Sequence, residues 1–311
     1  MAYSLKKINE AIHSDPAGFV AECEENHVKK VRDAAKRISA NREQSHVILL
    51  SGPSGSGKTT TALMIEALLD AEGIETHTIS MDNYFNTVDP ETAPRNRDGE
   101  IDYESPFCMD IDLLNRHFAM LDRGETIHIP KYEFARQMRS DTFSRPLKLG
   151  ENELALFEGI HALNDVFVGK NPKAFKLYIA ARSNVTDGDG SVVFDHAWMR
   201  LCRRIVRDFK FRGADGAETM KMWANVRRGE KLYISPYKEN ADLMFDTALA
   251  YEVALMKPFA QPLLEALPRG QYKVADDILE AFRLFEPLDE RYVPADSLLR
   301  EFIGGSTYHD N

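Results

Sequence analysis

The chain has 311 residues, enough for one large α/β domain or two small ones with a sizeable core. Hydrophobic residues make up 43% and charged residues 28%, and 39 basic against 49 acidic side chains leave a net charge of −10, which argues against nucleic-acid backbone as a principal partner. Cys23, Cys108 and Cys202 form no CxxC pair, and neither a secretory leader nor an apolar run of about 18 residues is present, so the expectation is a cytoplasmic protein with reduced thiols and no membrane partner.

Residues 1–45 are polar and helix-prone, with Val28, Val31, Ala35 and Ile38 at helical spacing between basic residues; they read as an amphipathic extension packed beside the main domain. His46–Leu50 is a short apolar run meeting a glycine-rich turn, the pattern of a buried parallel strand. Thr59–Ala71 follows with helical spacing, and Gly73 can end that helix. Glu75–Met81 reads as a second strand. Asp110 can cap a helix running to about Asp122, and Thr126–Ile129 is short and β-like. Glu153–Phe157, Lys176–Ala180 and Asp242–Phe245 are further strands. The Gly/Asp stretch Arg182–Ser191 lacks the ligand spacing of a calcium loop and reads as a solvated linker. Strands alternating with helices predict an α/β fold, a parallel sheet with helices on both faces. Helical runs near Val274–Phe285 and Ser297–Phe302 form a tail packed back on the core. The expected divisions are 1–45, a central domain over 46–267 with a lid around 182–235, and the tail 268–311.

The first chemical signal is Gly52-Pro53-Ser54-Gly55-Ser56-Gly57-Lys58-Thr59, followed by Thr60. It fits G-x-x-x-x-G-K-[ST] at every fixed position and lies between a predicted strand and a predicted helix. Glycines let the backbone curl its N–H groups around an anion, and the helix adds its positive end. Lys58 suits the β- and γ-phosphates of ATP, and the Thr59 hydroxyl suits Mg²⁺. Asp82 follows the second strand and Glu158 ends the later strand Glu153–Phe157, at the edge where parallel strands present ligands. Asp82 could accept a proton from an attacking hydroxyl or serve as a turn residue. Glu158 could organise the metal or start a helix. Arg200, Arg203, Arg204 and Arg207 occupy one helix face, opposite Trp198, Leu201, Cys202, Ile205, Val206 and Phe209. Four like charges in a stripe call for phosphates or for ion pairs within the chain.

With these residues the chain resembles the uridine kinase and phosphoribulokinase group of P-loop kinases, over about His46–Glu265. The tail Leu298–Ser306 is similar to the end of a bacterial branch that often carries an N-terminal synthetase-type module, a module not expected here. Besides the loop Gly52–Thr60, five segments carry the resemblance: Ser80–Phe85, Asp102–Asp110, Pro130–Phe134, Phe157–Ile160 and Arg203–Asp208 with Arg212-Gly213. The resemblance implies ATP and Mg²⁺ as cofactors and Asp82 as catalytic base, with Lys58, Arg204 and Arg207 also catalytic. It implies Arg203 and Arg212 on ATP, Thr59 and Glu158 at the metal, and Tyr84, Glu104, Tyr132, Arg136 and Arg139 around the acceptor. The acceptor it implies is the primary hydroxyl of a small molecule, first of all a nucleoside such as uridine or cytidine. Ala214 stands where the group commonly has a lid arginine, and Gln137 and Arg139 stand near the place of a common histidine. Other acceptors stay open, since Arg95, Arg97, Lys131, Arg136, Arg139 and Arg145 would also suit a sugar phosphate. A pantothenate-like alcohol, an amino-acid hydroxyl, a non-catalytic ATP-binding switch and a homo-oligomer stay open too.

Overall fold

The computed structural model describes residues 2–143 and 146–308, so Arg145 lies outside the described residues. The short apolar runs become one sheet. Strands β1 (Val47–Ser51), β2 (Glu75–Ser80), β3 (Glu153–Glu158), β4 (Phe175–Ala180) and β5 (Leu243–Asp246) are all parallel, in the order β5-β4-β1-β3-β2. Every residue of β1 and β4 is buried, which is why both read as near-continuous apolar runs. Ile127–His128 stays outside this sheet and pairs with Pro146–Leu147.

Alternating side chains of the strands face two different cores. Val47 and Leu49 pack with Leu114, Phe118 and Leu121 of α4 (Ile111–Asp122). Ile48 and Leu50 pack with helices α2 (Pro16–Asn41) and α3 (Lys58–Ala71) through Val31, Ala35, Ile38, Ile65 and Leu69. The predicted amphipathic extension is thus two helices, α1 (Leu5–Ser14) and α2. Asp15 caps α2 by accepting from Gly18 N–H at 3.0 Å, with Pro16 at its first position.

A third core joins four helices: α5 (His196–Phe211), α6 (Gly216–Gly229), α7 (Glu252–Glu265) and α8 (Lys273–Phe282). Ile8 and Val20 from the N-terminal helices enter it, as do Leu298, Leu299, Phe302 and Ile303 from the tail. Both terminal segments therefore share one core with the arginine-bearing helix. The Gly/Asp stretch is not a free linker. Asn184–Thr186 and Val192–Phe194 form a hairpin, with Ala2–Ser4 added in parallel, and the Asp187 carboxylate accepts from the N–H groups of Asp189 and Ser191 at its tip. Aspartate side chains hold such turns by bonding backbone two to four residues on. Helix α5 also differs from the one-sided reading. Phe209 is 54% exposed, whereas Arg200 and Arg203 on the opposite face are fully buried.

Candidate active site

Parallel pairing sets the site. Leu50 is in register with Glu158, and Glu158 with Ser80, so the loop after β1, the acid ending β3 and the segment after β2 open on one sheet edge. The loop Gly52–Gly57 leads directly into α3 at Lys58. Gly55 and Gly57 have φ of +74° and +83°, which disfavours any side chain there. Gly52 is required by proximity: a Cβ would lie 2.1 Å from the Ile179 carbonyl oxygen of β4. Side chains from elsewhere take the loop's carbonyls. Arg200 donates to Ser54 O at 3.3 Å, Arg203 to Gly55 O at 3.1 Å, and the Thr247 hydroxyl to Ser56 O at 2.8 Å. With the carbonyls drawn outward, the N–H dipoles and the start of α3 are left for an anion.

Lys58 curls back over the loop, its Nζ 3.5 Å from Pro53 O. Burial lowers its pKa, while Glu158, Asp82 and Glu301 pull it back up. Asp82 sits in the single helical turn Met81–Tyr84 after β2. Burial raises its pKa, opposed by Lys58, Arg212 and Arg207. Burial also pushes Glu158 up to about 7, against the pull of Lys58. A buried carboxylate, a half-buried one, one ammonium and two guanidiniums thus share one electrostatic site. Thr59 is half-buried beside Lys58. Its hydroxyl and the Glu158 carboxylate are hard oxygen donors of the kind Mg²⁺ takes, and Glu158 lies in a buried setting that a cation would relieve. A second cluster, Glu75, His77 and Glu153, stands at the strand starts, the opposite sheet edge.

The arginines divide by task. Arg203 donates both to Glu252 and to the carbonyls of Gly55 and Thr247, with no exposed surface. The expectation that it contacts ATP is corrected here: its guanidinium is fully engaged behind the loop, because Glu252 opens α7 directly beneath it. Arg204 donates to Ser54 Oγ at 2.8 Å and lies 3.1 Å from Asp208. Arg207 donates to Glu301 at 3.1 Å. Arg212, 55% exposed, leans on Asp208 at 3.3 Å while its charge reaches Asp82.

On the acceptor side, burial raises the pKa of Glu104, which lies within the fields of Arg204, Arg228 and Lys58. Its neighbour Asp102, 2% exposed, is held by Arg228 at 2.7 and 3.1 Å and by the Tyr233 hydroxyl at 2.9 Å. These partners hold Asp102 below the ordinary carboxylate range against burial, the largest influence on it. A cavity of about 120 Å³ lies between Glu104, Arg204, Asn225 and Arg228. Tyr132 packs with Phe85 and Phe134 at centroid distances of 5.6 and 5.0 Å. Three other expected acceptor residues have partners within the protein. Tyr84 is fully buried with its hydroxyl on His117 Nδ1 at 2.9 Å, because the turn after β2 directs it into the core of α4. Arg139 ties Asp110 to the carbonyls of Tyr84 and Phe85. Arg136 is 63% exposed and pairs with Glu133 three residues away.

Sequence reasoning missed Glu301, Glu252 and the Asp102–Arg228–Tyr233 network. Glu301 lies 241 residues from the Thr60 it contacts, and no local pattern encodes such a pairing.

The phosphoribulokinase/uridine kinase family profile matches residues 47–254. The uridine kinase of Staphylococcus epidermidis is 27% identical over 213 residues, covering 68% of this chain and 92% of its own length. The uridine kinase of Saccharomyces cerevisiae is 27% identical over 233 residues; these span 73% of this chain but only 43% of the yeast protein. A solved structure of a possible uridine kinase from Bacillus stearothermophilus is 18% identical with a TM-score of 0.45, covering 70% of this chain and 98% of that one.

Proposed function

The chain belongs to the phosphoribulokinase/uridine kinase family of P-loop kinases, and we propose that it transfers the γ-phosphate of ATP to the primary hydroxyl of a small molecule, first of all the 5′-hydroxyl of uridine or cytidine. One observation carries the reading: the loop lysine, Asp82, Glu158, Arg207 and Arg212 interact within one partly buried site at the carboxyl edge of the sheet.

In this mechanism the loop N–H groups and Lys58 hold the β- and γ-phosphates. Thr59 and Glu158 would hold Mg²⁺, which would neutralise charge on the phosphate oxygens. The acceptor oxygen forms a bond to the γ-phosphorus as the bond to the bridging oxygen of ADP breaks. The hydroxyl proton passes to the Asp82 carboxylate, whose burial makes it a better base than an exposed aspartate. Arg204, Arg207 and Arg212 stabilise the moving charge and help exclude water. Half-buried Glu104 suits the paired hydroxyls of a ribose, and the Phe85, Tyr132 and Phe134 rings suit a planar base.

The test is ADP release from MgATP with uridine, cytidine, purine nucleosides, sugar phosphates, pantothenate, serine and threonine, using Lys58→Ala and Asp82→Asn as controls. Turnover on a pyrimidine nucleoside, lost in both variants, supports the assignment. Turnover on a sugar phosphate alone moves the acceptor. Undiminished kcat in Lys58→Ala would sink the site.

A further inference from the structure

The family match ends at residue 254, yet a carboxylate from far beyond it reaches the phosphate loop. Glu301 lies on the short helix Arg300–Ile303, its side chain 10% exposed. One oxygen accepts from the Thr60 hydroxyl at 2.6 Å, in the first turn of α3, and the other from Arg207 Nη1 at 3.1 Å. Its charge is felt at Lys58 and Glu158.

The surrounding tail is not a removable strap. Leu298, Leu299 and Phe302 are fully buried. A Cβ on Gly57 would lie 2.6 Å from Leu298 Cδ1, so the tail presses on the loop itself. The Phe302 ring lies 5.3 and 5.6 Å from the guanidinium carbons of Arg203 and Arg207. Arg300 staples the segment to the carbonyls of Glu290, Val293 and Gly304, and Lys210 donates to Ile303 O at 2.6 Å.

The charges explain why an acid stands there. Lys58, Arg204, Arg207 and Arg212 converge on one site. Asp208 lies within 3.3 Å of Arg204 and Arg212 but 3.8 Å from Arg207. A free arginine side chain samples many rotamers, and ordering it on binding costs entropy. A carboxylate on one side and an aromatic face on the other remove that freedom before nucleotide arrives.

We infer that Glu301 is a positioning residue of the nucleotide site: the C-terminal tail uses it to hold Arg207, and with it the first turn of α3, in the orientation that meets the phosphates of ATP. The inference rests on the kinase reading above.

The test measures MgATP binding and steady-state kinetics for the wild type, Glu301→Gln, Glu301→Asp, Arg207→Gln and the Glu301→Gln/Arg207→Gln double variant. Glutamine keeps an oxygen for Thr60 and removes the charge. Glu301→Gln should weaken MgATP binding about tenfold, the scale of one charged hydrogen bond, with KM for the acceptor unchanged. Glu301→Asp should recover part of the loss. In the Arg207→Gln background Glu301→Gln should add less than about twofold, since coupled residues are not additive. Wild-type affinity in Glu301→Gln, or the same tenfold loss without Arg207, overturns the inference alone. Absence of MgATP binding by the wild type overturns the kinase reading and this inference with it.

Discussion

Glu252→Gln separates a phosphate-contacting Arg203 from one that builds the loop. Arg203 and Glu252 are both without exposed surface, and the guanidinium also carries the carbonyls of Gly55 and Thr247. Neutralising Glu252 leaves a buried guanidinium without its counter-charge, which costs about 3–5 kcal/mol. At roughly 2 °C per kcal/mol for a chain of this size, Tm should fall by about 6–10 °C. Because Arg203 anchors Gly55, MgATP binding should weaken as well, although residue 252 is on α7 and outside the loop. Arg203→Lys keeps a charge but cannot span Glu252 and two carbonyls at once, so it should reproduce both effects. Scanning calorimetry with and without MgATP reads them together. A Tm change under about 2 °C in Glu252→Gln would refute the reasoning. So would an Arg203→Lys protein of normal stability whose only defect is ATP affinity.

Glu158 makes stability depend on pH. Its folded pKa of about 7 stands above the ordinary 4.5, so the proton it holds stabilises the nucleotide-free protein fully below about pH 4.5, and that contribution is lost as pH rises through 7. The Tm advantage of Glu158→Gln over wild type should therefore grow from pH 4.5 to 7 and then level off; a flat difference would contradict the burial argument. Gly52→Ala should lower Tm by several degrees and abolish MgATP binding, because its Cβ meets backbone of β4 that cannot rotate away; normal binding would show the loop to be looser than described. Tyr84→Phe should cost about 1–3 kcal/mol in urea unfolding by stranding His117, while KM for the acceptor stays unchanged. A raised KM with normal stability would return Tyr84 to the acceptor site.

The phosphate loop, the acids after β2 and in β3, and the order of strands and helices were legible in the sequence, because each is a local matter. A glycine-rich curl, an apolar run and an acid at a strand end are written in consecutive residues, and parallel pairing then brings the strand ends together. The arginine stripe was legible as a stripe and not as a division of labour. Helical spacing shows that Arg203, Arg204 and Arg207 share a face, but their partners arrive from far along the chain: Glu252 on α7, Ser54 in the loop and Glu301 in the tail. Tyr84 shows the reverse error. The resemblance implied a place for it at the acceptor, while the turn Met81–Tyr84 carries its hydroxyl onto His117. What the sequence by itself determined is a loop motif able to cradle a phosphate and two acids, Asp82 and Glu158, at the strand ends beside it. Which charged groups face that cradle and which support it from behind was decided only by tertiary packing, since a buried charge goes wherever the fold supplies its counter-charge.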